Sequence, residues 1–300
     1  MIPRSKALIC PRLRHLRACI HLPLPMELPE QRPILRCMFS RGSTITEAGL
    51  PRPKDVVRAV ASHAFPLPGV AAVPSTGPVV PAYLEQTYWW AYVHPNAVRV
   101  FERQWLVNLI LWGNYTKLRD AAFAELPLPI HGRVLQVACV YGDFTQMLAR
   151  RLGPSGSLDV VDVAPVQIDN LARKMAGHPR VTAHRADSSN MAFAADASYD
   201  HVMLFFLLHE MPEDVRARTI QEAVRVVKPG GKVIFVDYHG PSRLNPFRYV
   251  MTPILRGLEP FAMDLWQRDI IEWLPADCKP ARVEKETFFG GLYQKVVITV

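Results

Sequence analysis

His209 and Glu210 stand side by side at the end of the apolar run Tyr199-Asp200-His201-Val202-Met203-Leu204-Phe205-Phe206-Leu207-Leu208. An imidazole next to a carboxylate suits proton transfer or metal ligation. A single histidine is more often structural, but this one falls where a buried strand would leave its sheet. That is the carboxyl-end crevice in which open α/β sheets bind ligands. Upstream, Tyr141-Gly142-Asp143 sets a phenol and a second carboxylate around one glycine. Asp143 reads equally as a helix N-cap or as a group that holds a metal or deprotonates a nucleophile. Tyr141 is either a lid residue or a donor to a substrate oxygen. His239 is a further candidate.

Elements must bring these groups together. Val134 to Val137 is an apolar strand that breaks into a tight turn and then a helix, Phe144 to Leu152. At such a junction backbone N–H groups and a helix N-terminus approach a cofactor. The usual S-adenosylmethionine signature there is acidic-x-Gly-x-Gly-x-Gly. Here Gln136 stands for the acid, Ala138 and Val140 replace two glycines, and only Gly142 remains. Each replacement adds a Cβ where close backbone approach ordinarily wants none.

The segments that follow indicate a rebuilt turn rather than a decayed one. Leu158 to Val163 reads as a second strand ending at Asp162, twenty residues past Gly142, the spacing at which a carboxylate reaches a ribose diol. Arg180 to Asp187 is a third, its acid falling near an adenine; the alternative for both acids is capping of the next helix. Val163 and Ser188 adjoin them in the cofactor set. Tyr199 to Glu210 is a fourth strand, Ile220 to Val227 a helix, and Lys228-Pro229-Gly230-Gly231-Lys232 a turn into a fifth strand, Val233 to Asp237. Ala281 to Phe289 and Tyr293 to Val300, joined by Gly290-Gly291, form a hairpin. Parallel strands closed by an antiparallel hairpin give an α/β, Rossmann-like class I methyltransferase fold with a seven-stranded sheet. Dinucleotide dehydrogenases have no reason to end this way.

Three hundred residues at 49% hydrophobic composition support one sizeable domain. The formal charge is +8, yet residues 1–60 hold 11 of the 35 Lys+Arg and only 4 of the 27 Asp+Glu. The remainder is nearly neutral, so no basic nucleic-acid face is implied. Residues 1–80 form a basic, proline-rich leader and 81–300 the cofactor-binding domain. Met1 to Met26 holds no acid and reads either as an organellar transit peptide or as a disordered extension, with Met26 or Met38 as the first residue. Cys10, Cys19, Cys37, Cys139 and Cys278 form no close pair, so no zinc knuckle or disulfide scaffold is indicated. The longest apolar runs fall short of a bilayer span.

Two regions are placed to meet a substrate. Tyr83 to Pro95 is dense in aromatics and leads into a helical stretch, Asn96 to Tyr115. Together they read as a lid, with Tyr88, Tyr92 and Trp105 lining a pocket for a planar, greasy substrate or padding the core. The insertion 239–275 sets Arg243, Arg248, Arg256 and Arg268 among bulky apolar residues, which suits either a segment resting on anionic lipid or an ordinary packed helix.

Tyr88-Trp89-Trp90-Ala91-Tyr92-Val93-His94-Pro95, Gln136-Val137-Ala138-Cys139-Val140-Tyr141-Gly142-Asp143 and Leu207-Leu208-His209-Glu210-Met211-Pro212 together resemble the rhodoquinone biosynthesis methyltransferase-like family, over about residues 80–300. The resemblance implies conversion of ubiquinone to rhodoquinone, an amino group replacing a ring methoxy. S-adenosylmethionine would donate the amine, and a divalent metal such as Mn2+ would assist. Asp143, His209 and Glu210 are then the candidate metal ligands; Tyr141, Asp143 and His209 are the candidate catalytic groups. It also implies a chain peripheral to the inner membrane on its cytoplasmic side, or on the matrix side if the leader is a transit peptide. A conventional quinone C- or O-methyltransferase and a non-catalytic pseudo-methyltransferase are the rival readings. Oligomeric state has no signature in the sequence.

Overall fold

Val134, Leu135 and Val137 have no polar side to show water, and the strand they form lies inside the sheet with a neighbour on each side. β1 (Arg133–Val137) pairs in parallel with β2 (Ser157–Asp162) on one side and β4 (Tyr199–Phe205) on the other. β3 (Val181–Arg185) extends one edge; β5 (Val227–Tyr238) and the antiparallel hairpin β6 (Arg282–Phe288) and β7 (Tyr293–Thr299) extend the other. The order is β3-β2-β1-β4-β5-β7-β6, the seven-stranded, hairpin-closed sheet of the class I methyltransferase fold. Strands buried on both faces need apolar runs, and β1, β2, β4 and β5 supply them. Phe123, Phe144 and Leu148 fill one side of the sheet, and Leu135, Ile220, Ala223 and Val226 fill the other.

The computed structural model describes residues 78–300. The leader, with its transit-peptide and extension readings, and Cys10, Cys19 and Cys37 lie outside the described residues, apart from 78–80. Among those described, no helix is long and apolar enough to cross a membrane.

Several boundaries differ from the sequence expectation, each for a local reason. The stretch Asn96 to Tyr115 is not one helix. α1 (Ala82–Thr87) and a π-helical turn (Trp89–Val93) precede α2 (Pro95–Phe101) and α3 (Gln104–Ile110), and Tyr115 begins α4 (Tyr115–Phe123). Trp112 and Gly113 adopt positive φ (52° and 78°), which stops α3. The helix after β1, α5 (Phe144–Ala149), is shorter than expected; α6 (Pro165–Lys174) follows β2. β4 ends at Phe205 because Phe206 turns to φ 53°, so His209 and Glu210 sit on a 3-10 turn (Leu208–Glu210) rather than on the strand.

α7 (Glu213–Val226) then runs straight into β5. The Lys-Pro-Gly-Gly segment is part of that strand, as a bulge: Tyr199 pairs with Val227, but His201 pairs with Lys232. Gly231 permits it, since a Cβ there would lie 2.7 Å from the Asp200 carbonyl oxygen. The insertion after β5 forms α8 (Phe247–Leu258) and two 3-10 turns, Ala262–Trp266 and Ile270–Trp273.

Candidate cofactor and acceptor site

The turn after β1 is closed by side chains from β1, α5 and α6. Gln136 is fully buried; its Nε2 donates to the Ala138 carbonyl (2.9 Å) and its Oε1 accepts from Thr145 Oγ1 (3.0 Å). An acid could accept from Thr145 but could not donate to Ala138. Ala138 holds φ 69°, the left-handed conformation a glycine would ordinarily take, and Gly142 holds φ 79°. Lys174 Nζ donates to the Val140 (3.3 Å) and Gly142 (2.6 Å) carbonyls from the far side.

Tyr141 carries the turn into the lid. Its hydroxyl donates to the Ala91 carbonyl (2.6 Å) and accepts from Gln167 Nε2 (2.6 Å), while its ring stacks near-parallel with Tyr92 and Phe101. Of the two readings of Tyr141, the lid residue is the one realised; its proton is already given to Ala91.

A largely apolar cavity of about 430 Å³ covers the carboxyl ends of β1, β2 and β4, the point where the order of strands reverses. Its cofactor side is walled by Ala138, Val140, Tyr141, Asp162, Val163, Asp187 and Ser188. Asp162 accepts from the Cys139 (2.8 Å) and Ala164 (2.9 Å) amides, one per oxygen, leaving each a free lone pair. Burial raises its pKa against those two bonds. Asp187 accepts from Ser189 N–H (2.8 Å).

The far side of the same cavity holds His209 and Glu210 among Tyr92, Phe206, Tyr238, Met251 and Leu255. His209 Nδ1 lies 2.9 Å from Asp237 Oδ1, and the other oxygen of Asp237 accepts from Leu208 N–H (2.8 Å). Burial opposes charge on the imidazole, but Asp237 outweighs it, and the ring is pushed up to about 9. Glu210 Oε1 is 3.7 Å from His209 Nε2, and burial pushes the carboxyl up to about 8. Asp237 thus favours the charged imidazole, and burial favours the neutral form of the carboxyl beside it. Glu259, at the end of α8, faces the same chamber, and burial raises it too.

The proposed metal trio is not assembled. Asp143 does not line the cavity: its carboxylate takes a two-oxygen grip from Arg119 Nη1 (2.8 and 2.7 Å) and a bond from the Tyr115 hydroxyl (3.1 Å). That also overturns its expected capping bond, since no side-chain cap forms at α5. Among the described residues no group of three His, Cys, Asp or Glu side chains is placed to hold a metal ion, so the residues do not fit Mn2+. Gln136 and Gly142 shape the turn without facing the cavity. Of the aromatic trio, Tyr92 lines the cavity, Tyr88 is buried behind it, and Trp105 is 62% exposed outside it. His239 hydrogen-bonds the Gly291 carbonyl (2.7 Å) away from the cavity. Asp237 and Glu259 were missed. Asp237 had a signal, an acid ending an apolar strand; Glu259 had none.

Residues 134–231 match the family model described as a methyltransferase domain. The match begins at the first buried residue of β1 and ends in the β5 bulge. Over 184 residues the chain is 26% identical to the demethylmenaquinone methyltransferase of Staphylococcus aureus, covering 61% of this chain and 74% of that one. Solved structures that align with it include a SAM-dependent methyltransferase from Aquifex aeolicus (17% identity, TM-score 0.45, 69% of this chain and 99% of that one). Another is the N-methyltransferase NodS from Bradyrhizobium japonicum with S-adenosyl-L-homocysteine (13% identity, TM-score 0.45, 68% and 96%).

Proposed function

We propose that residues 81–300 form an S-adenosylmethionine-dependent transferase acting on ubiquinone, replacing a ring methoxy group by an amino group to give rhodoquinone, with 239–275 as the substrate lid. The observation that carries this reading is one continuous cavity. A cofactor turn rebuilt at Gln136, Ala138 and Val140 faces a buried His209–Glu210 pair across an aromatic, apolar space. When bound, S-adenosylmethionine supplies the transferred group. Asp162 and Asp187 are placed for its ribose and adenine, and the Cβ atoms of Ala138 and Val140 narrow the place where its amino-acid end ordinarily lies. Gln136 brings no negative charge near that end, which favours a neutral, nucleophilic nitrogen.

His209, kept protonated by Asp237, donates to a ring carbonyl oxygen. Glu210 holds a proton at its carboxyl and gives it to the departing methoxy oxygen, which leaves as methanol; the carboxylate left behind takes one from the incoming nitrogen, and freeing that nitrogen from the donor carbon consumes one water and passes the two electrons of the adjacent C–H bond to the quinone ring, giving the quinol. The cavity excludes bulk water from both transfers. The Mn2+ that the resemblance implies has no ligand set among the described residues, and these roles do not pass through a metal. The chain is proposed to work peripherally at the inner membrane, cytoplasmic or matrix-side according to the fate of its leader.

A conventional quinone methyltransferase is the second reading, favoured by the relative named for demethylmenaquinone methylation. Incubating the full chain with ubiquinone and S-adenosylmethionine labelled with 15N in the amine and 13C in the methyl separates the two. Nitrogen label on the ring supports amination; carbon label on the ring or its oxygens sinks it. Failure of calorimetry to detect any cofactor binding would leave the non-catalytic reading standing. The triple variant Gln136→Asp, Ala138→Gly, Val140→Gly is expected to lose amination.

A further inference from the structure

α3 and α8 wear their apolar residues on the outside. α3, Gln-Trp-Leu-Val-Asn-Leu-Ile, has no charged residue and no buried one; Trp105 is 62% and Leu109 65% exposed. On α8, Met251 and Leu255 turn inward to the core. The helical period puts Tyr249, Val250, Pro253 and Gly257 on the opposite, outward half, while Ile254 and Leu258, nearer the Met251 side, are exposed at the cavity rim, and the helix contains no acid. A soluble surface helix has this pattern reversed. Trp112 bridges the two elements, its ring 5.1 Å from that of Phe247 and its Nε1 donating to the Met251 sulfur.

Two observations say what covers this face. Leu109, Ile110, Trp112, Ile254 and Leu258 are exposed outside and also line the cavity inside, so the face is the rim of the cavity mouth. Along the border of the outward half, Arg248 and Arg256 lie eight residues apart on one stripe, flanking a separate groove with Tyr249 and Trp266. Apolar and aromatic residues edged by cations, with no carboxylate on the helix, complement a negatively charged, apolar-cored surface.

We propose that the α3–α8 face docks on an anionic phospholipid bilayer. The outward half of α8 and the tryptophans of the α3 end enter the acyl boundary, Arg248 and Arg256 meet headgroup phosphates, and the cavity mouth opens into the lipid. This extends the quinone reading by giving a bilayer-dissolved substrate a dry path, and it is tested without turnover, so either idea can fail alone.

The test is flotation of the full chain with vesicles of phosphatidylcholine plus phosphatidylglycerol, against phosphatidylcholine alone. Wild type is expected to float with the anionic vesicles, and brominated lipid to quench its tryptophan fluorescence. The double variant Tyr249→Asp, Val250→Asp should partition about tenfold less. Arg256→Gln should weaken binding severalfold at low salt, whereas Arg282→Gln, an equal charge loss on β6, should change nothing. Unchanged S-adenosylhomocysteine affinity verifies that each variant is folded. The proposal is overturned if wild type does not float, if the double variant floats like wild type, or if Arg282→Gln weakens binding as much as Arg256→Gln. It is also overturned if sedimentation shows a dimer of this chain that Val250→Asp dissociates without affecting flotation.

Discussion

Gln136 shows why a missing acid need not mean a decayed turn. Its amide joins β1, the turn and α5 through one donor and one acceptor, with no water in reach. Gln136→Glu would point a carboxylate at the Ala138 carbonyl in a fully buried place, and is expected to cost about 2 to 3 kcal/mol. A denaturant midpoint measures it. The His209–Glu210 pair makes a pH prediction. Both groups bind protons more tightly folded than unfolded, so stability must fall as pH rises. The part due to Glu210 is whole below its ordinary 4.5 and lost through about 8; that due to His209 is whole below 6.5 and lost through about 9. The melting temperature should decline from about pH 4.5 to about pH 9, and Glu210→Gln should flatten the lower part of the decline. A flat profile in wild type would remove the pair from the account.

At the scale of elements, the first turn is held from three directions. α4 grips Asp143 through Arg119, α6 grips the turn carbonyls through Lys174, and the lid grips Tyr141 through Ala91. Asp143→Asn takes from Arg119, only 8% exposed along its side chain, the carboxylate that ties it to the turn and leaves it the Asp120 carboxylate (2.9 Å) alone. Because Asp143 itself is partly exposed, the expected loss is about 2 kcal/mol, below that for a wholly buried pair. Thermal unfolding with and without Arg119→Met separates the pair from its neighbours by a double-mutant cycle. Tyr141→Phe removes the donation to Ala91 and is expected to weaken S-adenosylhomocysteine binding while changing the melting temperature little. The strands were readable because burial on both faces demands unbroken apolar runs. The break in the lid at Trp112 and the early end of β4 at Phe206 were not, because both residues take positive φ, which side-chain type alone would argue against.

For the whole molecule, the cavity joins cofactor and acceptor regions contributed by α1 to α3, the three central strand ends and α8. Ligand occupying it should stabilise the entire domain by mass action. S-adenosylhomocysteine at one hundred times its Kd is expected to contribute about 2.7 kcal/mol, a rise of roughly 5 to 10 °C in melting temperature. Asp162→Asn should abolish most of that rise without unfolding the chain, since Asn can still accept from one of the two amides. An undiminished rise would mean that the ribose lies elsewhere.

Apolar runs, their spacing and the acids that end them determined the sheet, its closing hairpin and the positions of Asp162, Asp187 and His209, because a strand buried on both faces leaves a pattern in every residue it contains. Partnership was decided only in three dimensions. Asp143, Arg119 and Tyr115 are strangers in sequence, as are His209, Asp237 and Glu259, and a carboxylate pairs with whichever cation or donor the packing delivers. The tertiary structure therefore gave Asp143 to Arg119 and Tyr115 in place of the cap or metal offered by the sequence, and gave His209 the Asp237 that favours its charged form. It also turned the apolar side of α8 outward, which no periodicity could have assigned, since a hydrophobic face reads the same whether it meets a core or a membrane.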